Sequence, residues 1–144
     1  MPDKPPCAPV LLSELRDGFD FATMGSDFGN EAYVNTKTGA VIVLSDEVEM
    51  DTRPDDLKKP GRYIALPGKV DLDLGRELVL AFAAETMPEE HDHISAMFRR
   101  RGAFGQFKDL LRLRGQLEAW HDYENRATDE ALKRWCAEND IPLR

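Results

Sequence analysis

The chain has only two cysteines, Cys7 and Cys136, set far apart in the sequence. Two such thiols make neither a disulfide framework nor a four-ligand zinc site, and they fit a reduced cytosol. Long apolar runs are missing as well. The longest, Leu78 to Ala84, falls well short of the ~20 residues that cross a bilayer, so no membrane association is expected. Met1 to Pro9 lacks a continuous apolar h-region and any lipidation motif, so no secretory or anchoring signal is expected. There is no P-loop and no G-x-G-x-x-G, and Ser13, Ser26, Ser45 and Ser95 lie outside any G-x-S-x-G context.

What is present is a compact acidic chain. Its 144 residues are 42% hydrophobic, and 27 acidic against 19 basic residues give a formal charge of -8. Disorder at that charge would require far fewer apolar residues, and the length suffices for one domain with a core. Pro2, Pro5, Pro6 and Pro9 mark residues 1–9 as a flexible leader, followed by a single domain over 10–141.

The apolar pattern predicts an α+β fold with a short N-terminal helix, a small three-stranded antiparallel sheet and a C-terminal layer of four to five helices. Leu11, Leu12, Leu15 and Phe19 fall at helical spacing, with Gly18 and Gly25 as punctuation at the end. Glu31–Asn35 and Ala40–Leu44 flank a turn at Asn35–Gly39 and read as a hairpin. Its second arm, Val41-Ile42-Val43-Leu44, suits a strand covered on both faces. An acidic loop over 45–61 leads to a third strand at Tyr63–Leu66, stopped by Pro67-Gly68. A largely buried helix is expected from about Asp71 through Phe82 and Ala83. A second should open at the capping box Thr86-Met87-Pro88-Glu89, and a third should carry Ala103, Phe104, Phe107, Leu110 and Leu111 after a break at Gly102. Another segment starts around Leu117 and Trp120. A last helix is predicted with Thr128 as its cap and Ala131, Leu132, Trp135 and Cys136 facing inward, stopped at Asn139 and Pro142.

Chemistry-bearing patterns are few. Glu90/His93 and Glu118/His121 have the Glu-x-x-His spacing of dimetal bundles, but the helices are short and the strands do not belong to that fold. His91 and His93 would point to nearly opposite sides of a helix, and His91 aligns with Met87, Ile94 and Phe98 as a histidine at a core edge. Asp46, Glu47, Glu49 and Asp51 match no calcium-loop spacing, and Cys136 beside Trp135 reads as inert packing. Neither metal nor cofactor is called for, and no catalytic residue is assigned.

One segment departs from the acidic average. Residues 1–98 carry -10, 99–116 carry +5 and 117–144 carry -3, which together give the -8 of the whole chain. On a helical wheel Arg101, Lys108 and Arg112 form a stripe beside the apolar face, with Arg99 and Arg100 just upstream. The candidate binding set is therefore Arg99, Arg100, Arg101, Gly102, Lys108 and Arg112. Such a ridge can dock an acidic protein, meet a phosphate-bearing ligand, or neutralise the chain's own acidic groups. Nucleic acid is the poorer fit, because the remaining field repels a polyanion. Arg101-Gly102-Ala103-Phe104 is similar to the basic-Gly-aromatic strand of RNA-recognition domains, yet Ala103 stands where that motif stacks a ring, and the continuation is helical in pattern. An enzyme with a cleft between hairpin and helices is a further alternative, with Tyr33, Tyr63, His121 and Asp109 as its candidates.

Tyr33-x-Asn35-x-x-Thr38-Gly39-x-Val41-Ile42, Tyr63-Ile64-Ala65-Leu66-Pro67, Gly102-Ala103-Phe104-x-x-Phe107-Lys108-Asp109, Trp120-x-x-Tyr123 and Ala131-x-x-x-Trp135-Cys136-x-x-Asn139-x-Ile141 follow one another in order. From about Tyr33 to Ile141 the chain thereby resembles a bacterial group catalogued as Uncharacterised Protein Family 0158. The family commonly has a lysine before the glycine and two arginines between the phenylalanines, where this chain has Arg101, Gly105 and Gln106. The resemblance implies a bacterial, cytoplasmic protein and brings no activity, substrate or cofactor with it. It agrees in making Phe104, Phe107, Asp109, Tyr63, Trp120 and Trp135 motif positions. Phe104 and Phe107 are expected to anchor the helix, while Arg101, Gly102 and Lys108 stay exposed. A small binding or regulatory protein working through residues 99–114 is the function expected.

Overall fold

The computed structural model describes residues 7–24, 29–45 and 60–144. The expected acidic residues from Asp46 to Asp56, the punctuation at Gly25 and the prolines at 2, 5 and 6 lie outside the described residues. The element order is α1 (Leu12–Met24), β1 (Glu31–Asn35), β2 (Val41–Leu44), β3 (Tyr63–Ala65), α2 (Arg76–Thr86), a 3₁₀ turn (Pro88–Glu90), α3 (His91–Met97), α4 (Ala103–Arg114) and α5 (Leu117–Glu138). This is the α+β arrangement of an N-terminal helix, a three-stranded antiparallel sheet and a helical C-terminal part. The chain forms two compact units, Met1–Gly68 with Asp129–Arg144, and Lys69–Thr128.

In the first unit the sheet order is β2-β1-β3, with Tyr33 opposite Ile42 on one side and Ala65 on the other. β1 alternates, burying Ala32 and Val34, as a strand with one covered face should. β2 is an edge strand, and Val43 is exposed, contrary to the expectation of cover on both faces. A continuous apolar run gives no information on pairing, and β1, whose pattern alternates, takes the centre. The turn is closed by Asn35, whose Oδ1 accepts from the backbone N–H of Lys37 at 2.9 Å, while Gly39 takes a φ of +78°.

α1 continues past Gly18, which lies buried inside it, and ends at Met24, directly before the second expected punctuation residue, Gly25. A Cβ on Gly18 would stand 2.7 Å from Cγ1 of Val41 and 3.4 Å from Cβ of Ala32. The glycine is there for close approach of helix to sheet and does not terminate anything. Arg16 of α1 grips Asp129 of α5 through one guanidinium edge, Nε donating to Oδ1 at 2.8 Å and a terminal nitrogen to Oδ2. The described end of the expected leader is bonded into this unit. The Ala8 N–H donates to the Thr36 carbonyl at 2.8 Å, and Val10 pairs in parallel with Leu143.

In the second unit α2 begins at Arg76 and not near Asp71. Residues 69–73 instead form turns, with Asp73 at a φ of +55°, which no helix tolerates. α2 buries Leu78, Val79, Phe82 and Ala83 but exposes Ala81, so it is amphipathic where a largely buried helix was expected. Thr86 is not a cap either. It is still helical in α2, and Met87 occupies the N-cap position of the following 3₁₀ turn with no side-chain bond. α4 ends in a Schellman arrangement at Gly115, with the Gln116 N–H on the Leu111 carbonyl at 2.8 Å.

α5 is one uninterrupted helix of 22 residues, so no new helix opens at Thr128. Thr128 is buried within it, and its hydroxyl donates to the Glu124 carbonyl at 2.8 Å, one turn back. A threonine oxygen that finds a carbonyl on its own helix has no need of a free N–H to cap. The helix stops at Asp140, whose φ is +56°, with the Ile141 N–H returning to the Cys136 carbonyl at 2.8 Å. Ala131, Leu132 and Cys136 are buried as expected, and Trp135 is half-buried.

Candidate binding surface

The basic segment divides into a turn and a helix. Phe98 to Gly102 connect α3 to α4, held by the Arg99 N–H on the Ala96 carbonyl and the Arg100 N–H on the Met97 carbonyl at 3.1 Å. Gly102 precedes α4 with a φ of +76° and open space around the place where a Cβ would sit, so backbone conformation alone calls for glycine there. A left-handed residue between them removes Arg101 from the helical register of Lys108 and Arg112. The single stripe expected on the wheel is therefore not formed. Arg99, Arg100 and Arg101 lie exposed on the turn, and Lys108 and Arg112, four positions apart, share a face of α4.

The cations differ in how they are used. Arg112 donates to Oδ1 of Asp109 at 3.0 Å, one turn back, with both groups exposed. Arg114 is held by Glu90 at 2.8 Å. Among the described residues Arg99, Arg100, Arg101 and Lys108 are exposed and have no ion-pair partner. Self-neutralisation thus accounts for the C-terminal end of α4 and leaves the turn and Lys108 unmatched.

Aromatic packing fixes the helix beneath. Phe107 is fully buried, 5.1 Å from Trp120 and 6.5 Å from Phe82, each edge to face, and Phe82 meets Tyr123 at 5.3 Å. Phe107 is a core anchor as expected, and Trp120 is buried beside it. Phe104 is not a core anchor. It is 38% exposed, packs edge-on against Phe98 at 4.9 Å, and has the Lys69 ammonium 5.1 Å from its ring centroid. Phe104 sits at the rim of the buried face, one position round the wheel from the exposed side.

Tyr63 and Trp135 belong to the sheet unit. Tyr63 is half-buried on β3 and its hydroxyl accepts from Asn35 Nδ2 at 3.3 Å, with the Tyr33 ring edge-on at 6.5 Å. The Trp135 carbonyl accepts from Asn139 Nδ2 at 2.8 Å. His121 and Asp109, the other candidates for an enzyme, are exposed on α5 and α4. His93 Nδ1 lies 3.3 Å from Oε2 of Glu90, so the Glu-x-x-His spacing does bring its two groups together, but the other oxygen of that carboxylate is occupied by Arg114. His91 is half-buried, 3.7 Å from the Asp92 carboxylate. Among the described residues no group of three or more His, Cys, Asp or Glu could hold a metal ion, and no helix is long and apolar enough to cross a membrane.

Two electrostatic effects frame the surface. The Arg114 guanidinium and then His93 hold the Glu90 carboxyl below the usual carboxylate range. Burial, with Glu85 nearby, raises the Tyr123 hydroxyl. Lys69 is a contributor that the sequence pattern does not single out, whereas Glu90 is read there only as the partner of His93 and Tyr123 only as part of Trp120-x-x-Tyr123. Tyr123 had a signal, at helical spacing from Trp120. Lys69 and Glu90 reach α4 across long stretches of chain that no local pattern reports. Comparison with known proteins finds no matching family model, no matching curated protein and no matching solved structure.

Proposed function

We propose that the protein is a small cytoplasmic binding or regulatory protein that docks an acidic protein surface through Arg99, Arg100 and Arg101 of the α3–α4 turn together with Lys108. The observation that carries this reading is the division of the cations: those four are exposed and unmatched among the described residues, in a chain whose net charge is -8. Like charges clustered on a surface repel one another, and an acidic partner relieves that repulsion while steering its own approach. The proposal extends to kinship with Uncharacterised Protein Family 0158, whose Gly-Ala-Phe-x-x-Phe-Lys-Asp block corresponds here to Gly102, the last residue of this turn, and the start of α4. A phosphate-bearing ligand is the second reading. It is favoured by the first turn of α4, which has no acidic residue and no side-chain cap.

The test is affinity capture from native lysate, with and without nuclease, comparing the unaltered chain with one carrying Arg99→Glu, Arg101→Glu and Lys108→Glu. Acidic proteins should be recovered by the first and lost by the second at unchanged melting temperature. Identical recovery by both chains would sink the reading, and recovery abolished by nuclease would transfer it to nucleic acid.

A further inference from the structure

We propose that the acidic partner binds through a segment that carries one large apolar side chain among its carboxylates, and that this side chain seats against the exposed part of Phe104. The inference rests on the docking reading above and names the kind of segment that reading requires.

An exposed phenylalanine by itself means little, since much of any protein surface is apolar. The surroundings of Phe104 give it meaning. Along α4 it is followed four positions later by Lys108, which lies on the same side of the helix. Just upstream stand Arg99, Arg100 and Arg101, all exposed, and Lys69 approaches the ring to 5.1 Å from its centroid. Lys69 is itself tethered to Glu124 at 3.7 Å, and Phe98 supports the ring edge-on at 4.9 Å. A supported ring, 38% exposed and bordered by cations, is neither a plain apolar patch nor a plain basic one. Its electrostatic complement is a segment in which acid groups flank an apolar anchor. The anchor shields the ring, and the acids face the unmatched cations. Aromatic anchors of this kind dominate binding where they are ringed by polar contacts that exclude water.

A nucleic-acid base is the competing occupant, because bases stack on aromatic rings. Lys69 already stands over the Phe104 ring, which restricts the open face that stacking uses, and the acidic remainder of the chain opposes a long polyanion.

Fluorescence anisotropy with the full chain tests the inference. The probes are a short labelled peptide of Asp and Glu with one central Trp, the same peptide with Ala for Trp, and oligo(dT). The Trp peptide should bind about tenfold more tightly than the Ala peptide. Added salt should weaken both peptides alike and leave their ratio standing, because the apolar contact is not screened. In Phe104→Ala the advantage of Trp should vanish while weak, charge-dependent binding survives. In Leu113→Ala, which alters an exposed leucine on the opposite side of α4, the advantage should persist. Equal affinity of the unaltered chain for the two peptides overturns the inference and leaves the docking reading intact. This comparison needs no variant to fold. Failure to bind either peptide overturns both, and tighter binding of oligo(dT) than of the Trp peptide overturns the inference in favour of nucleic acid.

Discussion

Arg114 in the last turn of α4 donates from Nε to Oε1 of Glu90 at 2.8 Å, reaching across 24 positions to the 3₁₀ turn that opens α3. Its second nitrogen lies 2.7 Å from the same oxygen, and the other carboxylate oxygen faces His93 Nδ1 at 3.3 Å. One carboxylate thus joins the end of α4 to the start of α3 and removes Arg114 from the cations available to a partner.

The joint has a pH signature. Arg114 first and His93 second lower the Glu90 pKa, so its ionised form is favoured in the folded chain. A carboxyl depressed on folding contributes stability that is fully present above its unfolded value and lost as pH falls through the folded one. Glu90→Gln should therefore lower the melting temperature at pH 6, and the difference from the unaltered chain should shrink from about pH 4 downward. Thermal melts across that range measure it. A difference independent of pH would mean that the ion pair is not its source.

Gly18 makes the opposite point to helix propensity. Replacing a mid-helix glycine by alanine ordinarily gains up to about 1 kcal/mol. Here the new Cβ would stand 2.7 Å from Val41 Cγ1. Gly18→Ala should instead destabilise by about 1 to 3 kcal/mol in urea unfolding, the usual cost of overpacking. Val41→Ala in the same chain should recover part of the loss, because it removes the atom that clashes.

These two contacts also show what the sequence could and could not disclose. Periodicity was enough to place Leu15 and Phe19 on α1 and to bury Phe107, Leu110 and Leu111 on α4, because helical burial repeats locally. The Asn35–Gly39 turn was legible from its own residues. Gly18 was misread as a stop because its partner, Val41, lies on another element. Thr128 was misread as a cap because a threonine hydroxyl can serve a free N–H or the carbonyl one turn back, and local sequence does not distinguish the two. In the candidate surface the residue types were legible but their grouping was not. A single left-handed residue, Gly102, takes Arg101 out of the helical register, and the selection of paired cations depends on Glu90 and Asp109.

Thr128 offers a direct check on that distinction. Its hydroxyl serves the Glu124 carbonyl within an unbroken helix. Thr128→Val keeps the shape and should change stability by less than about 0.5 kcal/mol. Loss of a true N-cap would cost about 1 kcal/mol. Denaturant titration separates the two.

Cys136 is buried, and desolvation, with Cys7 a smaller contributor, pushes its pKa up to about 11. At neutral pH the thiol stays protonated, and the thiolate is the reactive form. A disulfide reagent added to the native chain at pH 8 should leave Cys136 unmodified over the time in which a free thiol reacts fully, and unfolding in guanidinium should release it. Native modification of Cys136, located by peptide mapping, would contradict that burial.

The division of the cations leads to a prediction in which removing an acidic residue strengthens binding. Arg112 and Asp109 are both exposed and bonded at 3.0 Å, so Asp109 competes with any acidic partner for Arg112. Lys108 has no such competitor among the described residues. If the surface docks carboxylates, Lys108→Glu should weaken binding of an acidic peptide more than Arg112→Glu does, because the charge lost in the second case was already partly neutralised. Asp109→Asn should tighten binding by about two- to threefold at low salt, in keeping with the few tenths of a kcal/mol that an exposed pair contributes. The gain should fade as ionic strength rises and the Debye length falls below about 8 Å. Anisotropy titrations of the three variants at two salt concentrations decide it. Equal losses from Lys108→Glu and Arg112→Glu, with no gain from Asp109→Asn, would show that the Asp109 pairing does not set which cations a partner meets.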